Sequence, residues 1–217
     1  MTDVLLLFSL FLTSFLVAFS GAMMPGPLLT LTIAETPRRG IWTGPLLISG
    51  HALLELLMVF LLLFGLGPYL QSPLSLTIIG IGGAIVLFFL AQGLLNAPPA
   101  PAPSKTSPSG QNRNPLLSGI IASLANPYWT IWWVTIGLAT ITQATKLGFA
   151  GVAFFFAGHI LADFIWCFLV SLGFTKGRKF MGEKGYRFIM KGCGILLILF
   201  GLWFGYSGFH AGLSLFN

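Results

Sequence analysis

Charge is nearly absent from this chain: 7% of its 217 residues are Asp, Glu, Lys or Arg, against about a quarter in an ordinary soluble protein. With 56% hydrophobic residues, that scarcity excludes a soluble globular domain and leaves an integral membrane protein. Cysteine is scarce as well. Cys167 and Cys193 lie in apolar sequence without a C-x-x-C spacing, which supports neither thiol exchange nor a zinc site and makes both read as buried spectators. Also missing are paired catalytic carboxylates within one motif, a nucleophile beside a base, and a His pair spaced for haem, so neither an enzyme nor a bound cofactor is expected. The start of the chain has no basic n-region. Only Asp3 precedes the apolar run from Val4, and that run is expected to be a retained first helix.

What the chain does have is long apolar runs, at residues 4–33, 42–66, 74–95, 116–141, 147–172 and 188–209. These predict an all-α polytopic membrane protein of six transmembrane helices. The net charge of +6 sits mostly in the short gaps between runs, where it sets topology and attracts anionic lipid rather than nucleic acid. Placing Arg38, Arg39, Lys105, Arg113 and the basic residues from Lys176 to Lys191 on the cytoplasmic side leaves only Lys146 in a loop on the other. Both termini are then expected outside a multi-pass protein of the cell membrane.

Residues 96–115, rich in Pro, Ala, Ser and Asn, read as a flexible or polyproline linker. It divides the chain into a first three-helix repeat over 1–95 and a second over 116–217. Three being odd, the second repeat must enter the membrane inverted relative to the first.

A repeated phrase supports that plan. Gly50-His51-Ala52-Leu53-Leu54-Glu55 recurs 108 positions later as Gly158-His159-Ile160-Leu161-Ala162-Asp163. Each copy puts an imidazole and a carboxylate on one helical face. Glu55 lies 16 residues beyond Arg39 and Asp163 lies 17 beyond Lys146, about 24–26 Å along a helix in either case. Ionisable groups are costly at that depth, by roughly 2.5–3.5 kcal/mol for a central Asp, so a matched pair points to a polar site.

Proline breaks are the second anomaly: Pro25-Gly26-Pro27 in the first run and Asn126-Pro127 in the fourth. Each removes a backbone donor where lipid satisfies nothing, so each must face protein or water. Interrupted helices can hold the charged ends of a zwitterion.

These residues, with the basic turn Pro37-Arg38-Arg39-Gly40, the acids Glu55 and Asp163, Ser123-Leu124-Ala125-Asn126-Pro127 and a glycine-rich last helix, resemble the lysine exporter (LysE, RhtB-type) family. The resemblance implies a six-helix exporter of amino acids or their derivatives, driven by protons, and a homodimer. The chain departs from the family pattern at Leu28 and Tyr128, and in carrying His51 and His159. Those departures bear on the substrate more than on the fold.

Glu55 and Asp163 are the proton-coupling candidates, because an imidazole beside an acid can hold or pass a proton near neutrality. Pro25, Gly26, Pro27, Asn126 and Pro127 frame the substrate site, with His51 and His159 either tuning the acids or touching the solute. Two other readings stay open. His51, Glu55, His159 and Asp163 also form a candidate divalent-metal set for a metal exporter, or they hydrogen-bond helices 2 and 5 together in a structural subunit. Trp129, Trp132 and Trp133 read as packing or interfacial residues, with a cage for a cationic substrate as the alternative. The glycines Gly80, Gly82, Gly83, Gly192 and Gly194 are expected to admit close helix approach.

Overall fold

The computed structural model describes residues 2–24, 26–96, 114–177, 180 and 182–214, and no strand occurs among them. Its helices are α1 (Thr2–Ala22), α2 (Pro27–Arg39), α3 (Thr43–Leu63), α4 (Gly67–Leu70), α5 (Pro73–Leu95), α6 (Pro115–Leu124), α7 (Pro127–Trp132), α8 (Leu138–Ala144), α9 (Gly148–Gly177) and α10 (Glu183–Leu213). Five helical stretches are long and apolar enough to cross a membrane, and Pro115–Leu124 is a shorter apolar helix. One of the five, Pro127–Gly177, contains a reversal. Gly148 has φ +65°, and beyond it Phe155 comes back against Trp133, so α7–α8 and α9 are separate passes. Of the expected linker, only Asn96, Asn114 and Pro115 fall within the described residues.

Large apolar side chains cover the outside: Phe89 is 71% exposed, Trp203 69% and Leu53 54%. In water such a surface would drive aggregation. In a bilayer it is the solvated face, and the protein is a multi-pass membrane protein.

The expected first run, 4–33, is two helices. The α1 helix ends at Ala22, Gly26 is extended (φ −146°, ψ −177°), and Pro27 opens α2, the helix position at which a missing N–H costs nothing. The fourth run repeats the device. The α6 helix ends at Leu124, Asn126 is extended (φ −103°, ψ 94°), and Pro127 opens α7. A π-turn over Trp133–Gly137 then widens the helix before α8.

Helices α3 and α9 run antiparallel. Gly44 lies under Cys167 and donates its N–H to Ser171 Oγ at 2.9 Å, while Glu55 meets His159. Each of the two carries an outer helix on a glycine: a Cβ at Gly50 would overlap the Leu116 carbonyl of α6, and one at Gly158 the Phe11 carbonyl of α1. The second contact is fastened by Ser14 Oγ, which donates to Phe155 O at 2.7 Å. Helices α5 and α10 pair along a separate seam, where a Cβ at Gly80 would sit 2.7 Å from Gly208 Cα. Leu87, Ala91, Met190 and Leu197 fill that seam. The glycine expectation needs correcting at two positions. Gly82 and Gly192 have nothing within 4 Å of an added Cβ, so they face outward and allow no approach.

Gly50→Val and Gly158→Val should each destabilise the protein by about 1–3 kcal/mol through overpacking, lowering the unfolding temperature in detergent. Gly82→Ala, at an open helical position, should raise it slightly.

Candidate functional site

The two helix breaks meet in the middle of the molecule. A Cβ at Gly26 would be 3.7 Å from the side-chain nitrogen of Asn126, and both residues border a cavity of about 100 Å³. That volume holds several waters, each needing roughly 10–15 Å³ by this measure. Ala18, Gly21, Leu28 and Ile48 give the cavity apolar walls, and His51, Glu55, His159 and Asp163 give it a polar floor. Pro27 and Pro127 are buried at the starts of their helices, and neither is among the lining residues. Pro127 packs instead on Gly83 of α5. Pro25 lies outside the described residues.

Helical spacing stacks His51 over Glu55 and His159 over Asp163, and the antiparallel crossing of α3 and α9 interleaves the two pairs. Glu55 Oε1 is 3.0 Å from His51 Nε2 and 3.1 Å from His159 Nε2. Asp163 Oδ2 closes the ring at 3.7 and 3.6 Å from the same nitrogens. All four residues are buried.

The tryptophans belong to this site. Trp129 Nε1 and Trp133 Nε1 donate to Glu55 Oε1 at 3.2 and 3.0 Å, so one carboxylate oxygen faces four ring nitrogens. Trp133 is fully buried, which places it in the core and away from any interface. With Trp132 and Phe155 it also surrounds the His159 ring, at centroid distances of 5.0, 4.8 and 6.1 Å. The aromatic group therefore encloses a histidine of the chain. The reading of packing residues is right about burial and misses the two N–H donors.

Hydrogen-bond logic assigns a proton to His51. Ser123 Oγ donates its only hydrogen to Gly119 O at 2.7 Å, so His51 Nδ1, 2.6 Å away, must donate to the hydroxyl. Its Nε2 faces an oxygen that already accepts two indole N–H groups. Nδ1 therefore carries a hydrogen, and Nε2 lies 3.0 Å from Glu55 Oε1, an ion pair whenever the ring takes up a second proton. Elsewhere in the ring, His159 Nδ1, Asp163 Oδ2 and Glu55 Oε2 are buried without a hydrogen-bond partner. Such groups are costly unless something else meets them. Glu55 Oε1 is thus well satisfied, whereas Glu55 Oε2, His159 Nδ1 and Asp163 Oδ2 are not.

The sequence placed both His/acid pairs at this site. It missed Ser123 and the indole donors, although Trp129 and Trp133 sit one turn apart directly after the Asn126-Pro127 break, and that spacing was the available signal.

Residues 19–208 match the family model described as LysE type translocator. The chain is 24% identical over 202 residues to a Bacillus subtilis protein named "Putative amino acid efflux protein YcgF", covering 92% of this chain and 97% of that one. It is 31% identical over 200 residues to the "Chemotactic transduction protein ChpE" of Pseudomonas aeruginosa, covering 88% of this chain and 94% of its relative. No solved structure matches the chain.

Trp133→Phe keeps the ring and removes one donor to Glu55. It should lower stability by about 1.5 kcal/mol, the low end for a bond to a charged group because other donors remain, with the loss read in thermal unfolding against Trp132→Phe as control.

Proposed function

The chain belongs to the LysE type translocator family, and from that premise we propose that it exports amino acids or amino-acid derivatives across the cytoplasmic membrane in exchange for protons. The observation that carries the reading is the buried ring of two acids and two imidazoles at the floor of a cavity bordered by both helix breaks. The efflux name of the Bacillus relative favours the same solute class.

In this reading the solute's ammonium group meets Asp163, whose buried Oδ2 lacks a hydrogen-bond partner. Its carboxylate lies toward the breaks at Gly26 and Asn126, where α2 and α7 begin and helix N-termini favour negative charge. Protons occupy the ring when the ammonium group is absent and leave when it returns. Two positive occupants cannot share so small a volume cheaply, and that competition couples solute exit to proton entry. His51 and His159 carry and orient protons, and no covalent chemistry is involved, so the protein acts as a carrier rather than an enzyme.

The architecture we propose is two inverted three-helix repeats, 1–95 and 116–217, joined by residues 96–115. Several contacts support it. Gly50 approaches α6 as Gly158 approaches α1, the two breaks share one form, and α3 and α9 run antiparallel. The basic residues beside α2 and at the start of α10 favour the cytoplasm for those ends, which puts both termini outside.

Labelled amino acids should enter inside-out vesicles carrying the protein when a pH gradient is imposed, and much less without one. Glu55→Gln and Asp163→Asn should each abolish the gradient-dependent part. Transport unchanged in both variants would rule out the coupling role.

A further inference from the structure

The ring on the cavity floor has a second chemical property. Its four donor atoms alternate nitrogen and oxygen: His51 Nε2, Glu55 Oε1, His159 Nε2, Asp163 Oδ2. The sides measure 3.0, 3.1, 3.6 and 3.7 Å. Four ligands about 2.05 Å from a zinc ion lie roughly 3.3 Å apart along the edges of a tetrahedron. A flat ring of the observed size holds each donor about 2.4 Å from its centre, and a pucker that shortens both diagonals by about 1.4 Å brings all four to bonding distance at the corners of a tetrahedron. The donor atoms of His51, Glu55 and Asp163 already lie within 4.8 Å of one another.

We propose that His51, Glu55, His159 and Asp163 bind one first-row divalent ion of the zinc, cobalt or copper class in a four-coordinate site. Two imidazoles and two carboxylates suit a borderline cation and give a complex with no net charge. The surroundings also resemble those of a built site. The Nδ1 of His51 donates to Ser123 Oγ at 2.6 Å, the outer bond that fixes a metal-binding imidazole with Nε2 turned inward. Glu55 Oε1 accepts from Trp129 and Trp133, so ligation through it releases one of the two indoles, while the buried Oε2, which has no hydrogen-bond partner, offers the same carboxylate a free lone pair. Asp163 Oδ2, buried and without a hydrogen-bond partner, gains in the ion a direct partner. The cavity above supplies the way in. The site stands apart from which solute the protein carries, and binding is measured without any transport.

The test uses the full chain, purified in detergent, stripped with chelator and titrated with cobalt ions while visible absorption is recorded. One equivalent should produce the intense bands of four-coordinate cobalt, and one equivalent of zinc should remove them. Asp163→Asn and His159→Gln should abolish the bands in protein that still elutes as the wild type does. Ser123→Ala, which keeps all four ligands, should preserve the band shape and weaken cobalt affinity about 10–100-fold. The proposal is overturned if the wild type shows no saturable binding, or only the faint spectrum of six-coordinate cobalt. Bands of full intensity in folded Asp163→Asn protein would overturn it equally.

Discussion

The structure is organised around one desolvated oxygen. Glu55 Oε1 lies within about 3 Å of two imidazole and two indole nitrogens brought by α3, α7, the π-turn and α9. A buried carboxylate is costly, and in an apolar solvent only specific partners offset that cost. Their positions follow from the fold: the antiparallel crossing supplies the histidines, and the break at Asn126 starts the helix that supplies the tryptophans. Without these elements together, Glu55 would be an uncompensated charge.

The surrounding scaffold uses small residues where the hydrophobic effect gives little help. Between membrane helices the driving force is close packing, not exclusion of water. Glycines at Gly50, Gly158 and Gly80 let backbones touch, and bulk is spent on the outer surface, where lipid accepts it. The polar ring is thereby kept from lipid by closely apposed helices.

Much of this was legible in the sequence because membrane constraints are severe. Apolar length located the helical stretches, though α2 runs on to Arg39 and α10 begins at Glu183, five or six residues beyond the expected runs, because polar residues extend these helices past their apolar parts; Gly26-Pro27 and Asn126-Pro127 marked interruptions that occur where expected. The 108-residue offset between the His/acid pairs identified residues that lie together in space. Partner choice was not legible. That Trp133 bonds Glu55, or that Ser123 orients His51, depends on which faces of α6 and α7 turn inward, and a helix apolar on every side hides that orientation. The same blindness hid Gly208 as the partner of Gly80 and misassigned Gly82 and Gly192. The π-turn, which resets the helix after Trp133, has no composition signal at all.

Continuity is unevenly distributed through the molecule. Helices α3, α5, α9 and α10 run unbroken across it, whereas both segments that begin the proposed repeats are interrupted at Gly26 and Asn126, side by side at the cavity. Bending at either joint severs no ladder bonds, since the helices already end there, while bending any of the four rods would. Rotation at either joint therefore leaves every helical ladder intact, and what resists it is side-by-side packing alone: the Gly158–Phe11 and Gly50–Leu116 contacts and the Ser14–Phe155 bond that hold α1 to α9 and α6 to α3.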